Sequence, residues 1–157
     1  PAVWNQNKAS FNAKNNTTVT GMQYKAAEGF TLAFQNGWDK EAYTNGKIWQ
    51  VATLRPGKYR LEVTYAYTMV VSDVGNFISA LMAKGNSESD IPNVADIEQL
   101  NGVCAIYDKA GTNDDSGILV TPSFEVTETT DVVIGFLTSL AKGNSYFKVT
   151  ELKLILE

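Results

Sequence analysis

The sequence contains no histidine, and Cys104 is the only cysteine among its 157 residues. Without histidine, the chain cannot form a Ser-His-Asp or Cys-His catalytic arrangement, and most zinc and copper sites lose their commonest ligand. A single cysteine cannot form an intramolecular disulfide. Because Cys104 lies among apolar neighbours on a predicted strand, the sequence favours a small buried side chain over a reactive thiol.

Long apolar runs and excess positive charge are also missing. The sequence has no run of 18 apolar residues that would span a membrane, and no signal peptide is recognisable. A net charge of −4 argues against a nucleic-acid-binding surface. The chain begins at Pro1 rather than methionine, so we expect an excised or processed piece of a longer protein, from which a secretion signal and upstream domains could have been removed.

The composition is that of an ordered globular domain, with 44% hydrophobic and 19% charged residues. Its length suits one domain, which can bury about two-thirds of the surface of the unfolded chain. The first residues are polar and rich in asparagine. We therefore expect a polar N-terminal segment over residues 1–16 and a single folded domain over residues 17–157.

Alternation with a period of two is the main secondary-structure signal. Five apolar residues share one face of Lys58–Tyr67: Tyr59, Leu61, Val63, Tyr65 and Tyr67. This pattern predicts a half-buried antiparallel strand, and Tyr67, at its far end, is the member most expected to leave the core. Asp131–Leu140 is apolar on both faces, as a central strand would be, whereas Pro122 predicts an edge strand or a bend.

The last apolar stretch changes phase in the middle. Phe147 and Val149 lie on one phase, and Leu152, Leu154 and Leu156 lie on the other. A β-bulge near Thr150 and Glu151 would turn both sets towards the core. One turn of helix is compatible with residues 94–100, but no segment has a helical period. About nine short strands separated by turn residues predict an all-β fold, with a jelly-roll β-sandwich as the preferred version.

Three segments also carry a resemblance to known proteins. Asn45–Ala66 resembles the ligand strand, Pro-Gly-x-Tyr turn and long strand of jelly-roll carbohydrate-binding modules, Phe30–Asp39 resembles the preceding tryptophan loop, and Ser123–Leu156 resembles the closing strands. Over most of residues 17–157, the chain is similar to a C-terminal module of uncharacterised function from Bacteroidetes surface lipoproteins. The resemblance implies a galactose-binding-domain-like fold, a position outside the cell or on the outer membrane, and other domains of a parent protein as neighbours.

A sugar-binding site needs a flat apolar face for the ring and polar side chains for the hydroxyls. The best match is the loop that carries Trp38, with Asp39 beside it and Tyr43 close by. Trp38 either forms a stacking platform or folds under its loop and plugs one end of the sandwich. The second arrangement is the more common one, because large aromatic side chains are mostly buried.

Two further loops have the composition of a ligand site. Asn144 and Tyr146 precede the final strand and would face the same end as Trp38 in a jelly roll, although a Gly-Asn turn explains this loop more simply. Asp108, Asp114 and Asp115 form an oxygen-rich loop that could hold calcium. Their spacing differs from that of an EF-hand, and a solvated hairpin tip explains it equally. We therefore expect no cofactor, with a structural calcium ion as the minor alternative.

Catalysis is not expected, because the sequence has no phosphate-binding glycine loop, no Gly-x-Ser-x-Gly elbow and no Cys-x-x-Cys pair. The sequence instead predicts a non-catalytic module that binds a polysaccharide or oligosaccharide. In this interpretation Trp38 stacks on a sugar ring, while hydroxyl groups are bound by Asp39, Tyr43, Asn144 and Tyr146. The alternative is a structural or protein-interaction module that positions neighbouring domains of a surface lipoprotein.

Overall fold

A computed structural model describes residues 4–14, 18–25, 31–36, 42–141 and 143–157. Within these ranges, twelve strands form two antiparallel sheets, and nine of the strands have five residues or more. The strand order in the first sheet, called sheet A, is β1 (Asn5–Gln6), β5 (Tyr43–Leu54), β11 (Thr130–Leu140), β7 (Phe77–Lys84) and β8 (Gly102–Ile106). The predicted all-β sandwich is confirmed.

Sheet B contains the other seven strands. Its order is β2 (Phe11–Lys14), β3 (Thr18–Lys25), β4 (Thr31–Asn36), β12 (Ser145–Leu156) and β6 (Gly57–Met69), after which β9 (Asp115–Val120) and β10 (Phe124–Val126) follow one another along the far side of β6. The predicted N-terminal segment adds β1 to sheet A and β2 to sheet B. Trp4 packs on the core, with its ring centroid 6.3 Å from that of Phe136.

The core lies between the two sheets. Strand β11 pairs with both β5 and β7, as its apolar sequence predicts, and contributes Phe136 and Val132 to the interior. Four residues of the β6 stripe are buried: Tyr59, Leu61, Val63 and Tyr65. Buried aromatic and aliphatic side chains of this kind supply most of the free energy of folding.

The irregularities predicted at the edge of sheet B and in its last strand are also present. Thr121 fills the break between β9 and β10, where its N–H and its hydroxyl Oγ1 both bond to the backbone of Leu61. Pro122 follows and has no N–H to donate. The register of β12 shifts between Val149 and Glu151, so the predicted bulge is confirmed. Leu156, at the end of the strand, is nevertheless exposed.

A third layer covers part of the outer face of sheet A. The connection between β7 and β8, called the cover segment (residues 85–101), contains two short 3₁₀-helices, Glu88–Asp90 and Val94–Gln99. Its Ile91 is buried against outward-facing residues of the sheet, among them Trp49. Two residues of β5 hold it in place: Lys47 Nζ donates to the Ile91 carbonyl at 2.5 Å, and Asn45 Oδ1 accepts from Val94 N–H at 2.9 Å. Residues 94–100, which are compatible with one turn of helix from their sequence, thus contain a 3₁₀-helix.

Candidate ligand-binding surface

Tyr67 interrupts the regular alternation of β6. Between Ala66 and Met69, β6 has two residues where β12 has one, and the same excess of one residue exists against β9. The backbone at Tyr67 has a φ of +50°, a conformation that is uncommon for an aromatic residue. Its side chain is 66% exposed, whereas Tyr65 is only 3% exposed. The bulge therefore turns the last tyrosine of the stripe out into solvent.

Thr68 repairs the hydrogen bonding that the extra residue disrupts. This side chain is fully buried, and its Oγ1 accepts from Lys148 N–H at 3.3 Å and donates to the Ala66 carbonyl at 3.2 Å. A bulge whose free backbone groups are satisfied in this way is a fixed part of the sheet. Tyr67 is therefore presented on a rigid strand rather than on a mobile loop.

Tyr146 and Lys148 lie on the strand next to Tyr67. They alternate with three buried residues of β12, which are Ser145, Phe147 and Val149, so both side chains point to the outer face of sheet B. Tyr146 is paired with Met69 and Lys148 with Ala66, one on each side of the bulge. The Lys148 ammonium lies 5.6 Å from the centroid of the Tyr146 ring, within the range of a cation–π contact.

Together Tyr67, Tyr146 and Lys148 form what we call the bulge platform. It consists of an exposed ring on β6 and, on the neighbouring strand β12, a second ring and a cation whose β6 partners flank the bulge. On the other side of β6, β9 places Ile118 on the same face, and this side chain is 58% exposed. Such a surface suits a ligand that has an apolar face and polar groups around its edge, the combination found in sugars.

The residues predicted from the Trp38 loop cannot be placed in full. Trp38 and Asp39 lie outside the described residues. The pairing of Asn36 with Ser145 brings the end of β4 beside the start of β12, so Asn36 and Asn144 lie at one end of the sandwich. Asn144 is exposed, and its φ of +63° is that of a turn residue.

Tyr43, predicted to bind a sugar hydroxyl, lies inside the sandwich. Its side chain is 6% exposed, and its hydroxyl shares a hydrogen bond of 2.8 Å with Thr138 Oγ1. Burial raises the pKa of Tyr43 well above the usual range, and the bond to Thr138 only partly offsets this effect. The hydroxyl thus links two strands of sheet A and is not presented at the surface.

One residue of the acidic loop, Asp115, bonds to a buried tyrosine. Tyr107 donates its hydroxyl proton to Asp115 Oδ2 at 2.8 Å, and its ring packs edge-on against Tyr65, with centroids 5.3 Å apart. Asp114 takes up a φ of +50° in the turn. Over the described part of the chain, Asp108, Asp114 and Asp115 do not form a group of three ligands, and no other such group of acidic or cysteine residues is found.

A small cavity lies at the same end of the sandwich. It is lined in part by Val70, Asp73, Asn76 and Tyr107, and its volume is about 50 Å³. A space of that size holds one or two water molecules and excludes a sugar ring. Cys104, on β8, is half-buried against the cover-segment side of sheet A, and burial raises the pKa of its thiol. This agrees with the apolar role predicted for it.

A scan against family models matches residues 1–135 to a domain of unknown function, DUF5013. The chain belongs to the DUF5013 family. The match includes β1 and β2, so the N-terminal residues of this DUF5013 chain are part of what the family model covers. It also includes Tyr67, whereas Tyr146 and Lys148 follow the matched residues. A search of curated proteins finds no match. None of the helices in the described residues is long and apolar enough to cross a membrane.

The sequence pointed to one part of the bulge platform and missed another. Tyr67 was the expected exception to the buried stripe, and Tyr146 was a predicted ligand residue. The sequence patterns above do not single out Lys148, although its position between Phe147 and Val149 on an alternating strand places it on the solvent face. What single-strand alternation could not show is that two strands bring these three residues together.

Proposed function

We propose that this DUF5013 chain is a non-catalytic carbohydrate-binding module whose bulge platform holds a polysaccharide or oligosaccharide. The observation that carries the proposal is the backbone of Tyr67, whose φ of +50° accompanies a ring that is 66% exposed, on the strand next to that of Tyr146. The proposed site thus lies on the outer face of sheet B, with Tyr67 in the stacking role first assigned to Trp38.

The conformation of Tyr67 supports a functional role for its ring. An aromatic residue in the left-handed region costs of order 1–3 kcal/mol, and such residues occur most often at binding and active sites. Bulges next to functional sites commonly redirect a side chain. An exposed tyrosine ring offers a sugar an apolar face for its C–H groups, and its hydroxyl can bond to the hydroxyls of the sugar.

The finer parts of the proposal derive from the resemblance described above. They comprise a jelly-roll, galactose-binding-like arrangement of the sandwich, a parent lipoprotein of Bacteroidetes, and a place outside the cell or on the outer membrane. Trp38, Asp39 and Asn144 remain candidate residues for a second contact at the end of the sandwich. In this proposal the chain needs no cofactor, and neighbouring domains of the parent protein are its other partners.

A ligand on an open face is bound with modest affinity. The face buries little of the sugar, and the sugar hydroxyls lose water when they bind. Several modules, or several sites on one polymer, would raise the overall affinity through effective concentration.

The proposal is tested by affinity electrophoresis and a glycan array with the 157-residue chain and three variants. Y67N removes the ring and introduces asparagine, which tolerates a positive φ. A loss of binding in this variant is therefore not caused by a loss of folding. W38A tests the loop site, and V74S, at an exposed position on a different turn, is the control. We expect Y67N to lose binding, while V74S retains it.

Retention of full binding by Y67N would contradict the proposed site, and loss of binding in W38A alone would move the site to the Trp38 loop. If wild type binds no glycan, the second candidate function gains. That candidate is a protein-interaction module, favoured by the exposed side chains of Ile118 and Val120 on β9, whose outer edge makes no hydrogen bond to any described residue.

A further inference from the structure

We infer that the glycan bound at the bulge platform carries an anionic group on its sugar, either the carboxylate of a hexuronic acid or a sulfate ester, and that Lys148 binds this group. The inference rests on the proposed function and adds the chemical class of the ligand. It is carried by the position of Lys148 relative to the two tyrosines and by the way charges are paired on this face.

The cations of β6 and β12 differ in their partners. The described residues of these strands include four cations: Lys58, Arg60, Lys148 and Lys153. Arg60 forms ion pairs with Glu62 at 3.1 Å and Glu157 at 3.3 Å. Lys153 pairs with Glu151 at 3.1 Å, and Lys58 lies close enough to Glu157 to help lower the pKa of that carboxyl.

Neither Lys58 nor Lys148 forms an ion pair with a described carboxylate, but Lys58 lies near Glu157, whereas Lys148 lies near an aromatic ring. Within the described part of the chain, no carboxylate lies at ion-pair distance from the Lys148 ammonium, which lies over the ring of Tyr146. A contact with a ring face leaves the N–H groups of an ammonium free to donate to a further acceptor. Lys148 can therefore bind an anion without first breaking an ion pair to any residue that the structure describes.

The surroundings of Lys148 favour an anion that belongs to a sugar. The residue paired with Lys148 on β6 is Ala66, and Tyr67 follows directly, so a small side chain separates the cation from the exposed ring. A sugar stacked on Tyr67 would extend its ring substituents over Ala66 towards the ammonium. A lysine ammonium is a compact charge and lacks the fixed, planar arrangement of donors found in arginine. It can therefore bind either a carboxylate or a sulfate.

The net charge of −4 does not oppose such binding at physiological salt. Exposed charges more than about 8 Å apart are largely screened at an ionic strength of 0.15 M, so the charges nearest to the site determine whether an anion is attracted. Lys148 supplies a positive charge on the β12 side of the bulge platform, whereas Asp115, paired with Thr68 on the β9 side, accepts a hydrogen bond from Tyr107. A hydrogen bond to a charged group contributes about 1.5–3 kcal/mol, so its loss would weaken binding at least about tenfold.

The test compares K148Q with K153Q in affinity electrophoresis through gels that contain polygalacturonate, dextran sulfate or neutral galactan. Lys153 is the matched control, because it stands on the same strand and is already paired with Glu151. We expect wild type to be retarded by at least one of the anionic polymers more strongly than by galactan. K148Q should lose this preference by about tenfold, while K153Q keeps it. The polymer that is preferred distinguishes the carboxylate from the sulfate ester.

Three outcomes would overturn the inference. An equal loss in K148Q and K153Q would show non-specific attraction between charges. Retardation by neutral galactan alone, unchanged in K148Q but lost in Y67N, would reject the anionic ligand and leave the carbohydrate-binding proposal intact. Absence of retardation by every polymer, with Y67N and wild type alike on a glycan array, would reject both.

Discussion

Tyr67 shows how a single residue can leave the pattern of its strand. The neighbouring residues Tyr65 and Thr68 are buried, so the extra residue of the bulge has no place in the core and its side chain is exposed. Its positive φ is unfavourable for an aromatic residue, and the hydrogen bonds of Thr68 hold the backbone in place. We therefore expect that tyrosine at position 67 is not the residue that gives the folded protein its highest stability.

We predict that Y67N unfolds with a free energy equal to that of wild type or about 0.5–1 kcal/mol higher, because asparagine adopts the left-handed region more easily. Y146N is the comparison, since Tyr146 sits in extended strand backbone and gains nothing from asparagine. Urea unfolding followed by fluorescence measures both. If Y67N is destabilised as much as Y146N, the backbone at residue 67 is not strained.

Single residues were the hardest part of the site to predict from the sequence. Tyr67 continues the phase of Tyr65, so alternation alone assigns both to the core, and the bulge depends on strands that are distant in sequence. Tyr43 is a residue type that can bind a sugar hydroxyl, but its own hydroxyl forms a hydrogen bond with Thr138, 95 positions further along the chain. Contacts of that range leave no local signal.

At the scale of the elements, sequence patterns predicted more. The alternation of β6, the apolar run of β11 and the change of phase in β12 all describe one strand at a time, and each is confirmed. The order of the strands in the sheets could not be read in this way, because pairing depends on which apolar faces pack together. The same holds for the cover segment, whose apolar residues are too few for a periodic pattern.

The close approach of β11 and β5 sets a strict requirement on Gly135. A Cβ added there would lie 2.0 Å from the Ile48 carbonyl oxygen, which belongs to the backbone of the paired strand. We predict that G135A lowers the free energy of unfolding by at least roughly 1–3 kcal/mol, because two central strands must move apart. Chemical denaturation measures the loss. S116A, at an exposed strand position, should change it by less than about 0.5 kcal/mol, and an equal effect in the two variants would contradict this explanation.

At the scale of the whole molecule, burial couples stability to alkaline pH. The pKa of Tyr43 and that of Tyr107 are both raised, mainly by desolvation and, for Tyr107, further by its bond to Asp115. The unfolded chain loses these protons near pH 10, where the folded protein still holds them. Their contribution to stability is therefore complete below about pH 10 and is lost as the pH rises above it.

We predict that Y43F and Y107F each lose less stability than wild type between about pH 9.5 and 11.5. Denaturant unfolding across this range measures the slope of stability against pH. Lys47, whose pKa burial lowers, acts in the opposite direction, so each variant is compared with wild type at every pH. Parallel slopes in all three proteins would show that the two hydroxyls do not titrate differently on unfolding.

The fold class followed from global properties of the sequence. Strand periodicity and the number of turn residues predict a sandwich whatever the individual contacts are. The absence of histidine is also a global property, and it excludes histidine-dependent catalytic and metal-binding chemistry whatever the contacts are. The position of a ligand site cannot be predicted from such global properties, because it depends on which surfaces remain uncovered once the layers have assembled.

The cover segment makes the two outer faces of the sandwich different from each other. Residues 85–101 occupy the outer side of sheet A, whereas within the described part of the chain the outer side of sheet B exposes Tyr67, Ile118 and Val120. A polymer lying across that side could continue past the strands in both directions, so it would be held by its middle rather than by a terminus. Such a protein would recognise internal units of a long chain and would keep its hold while the ends are shortened by other proteins.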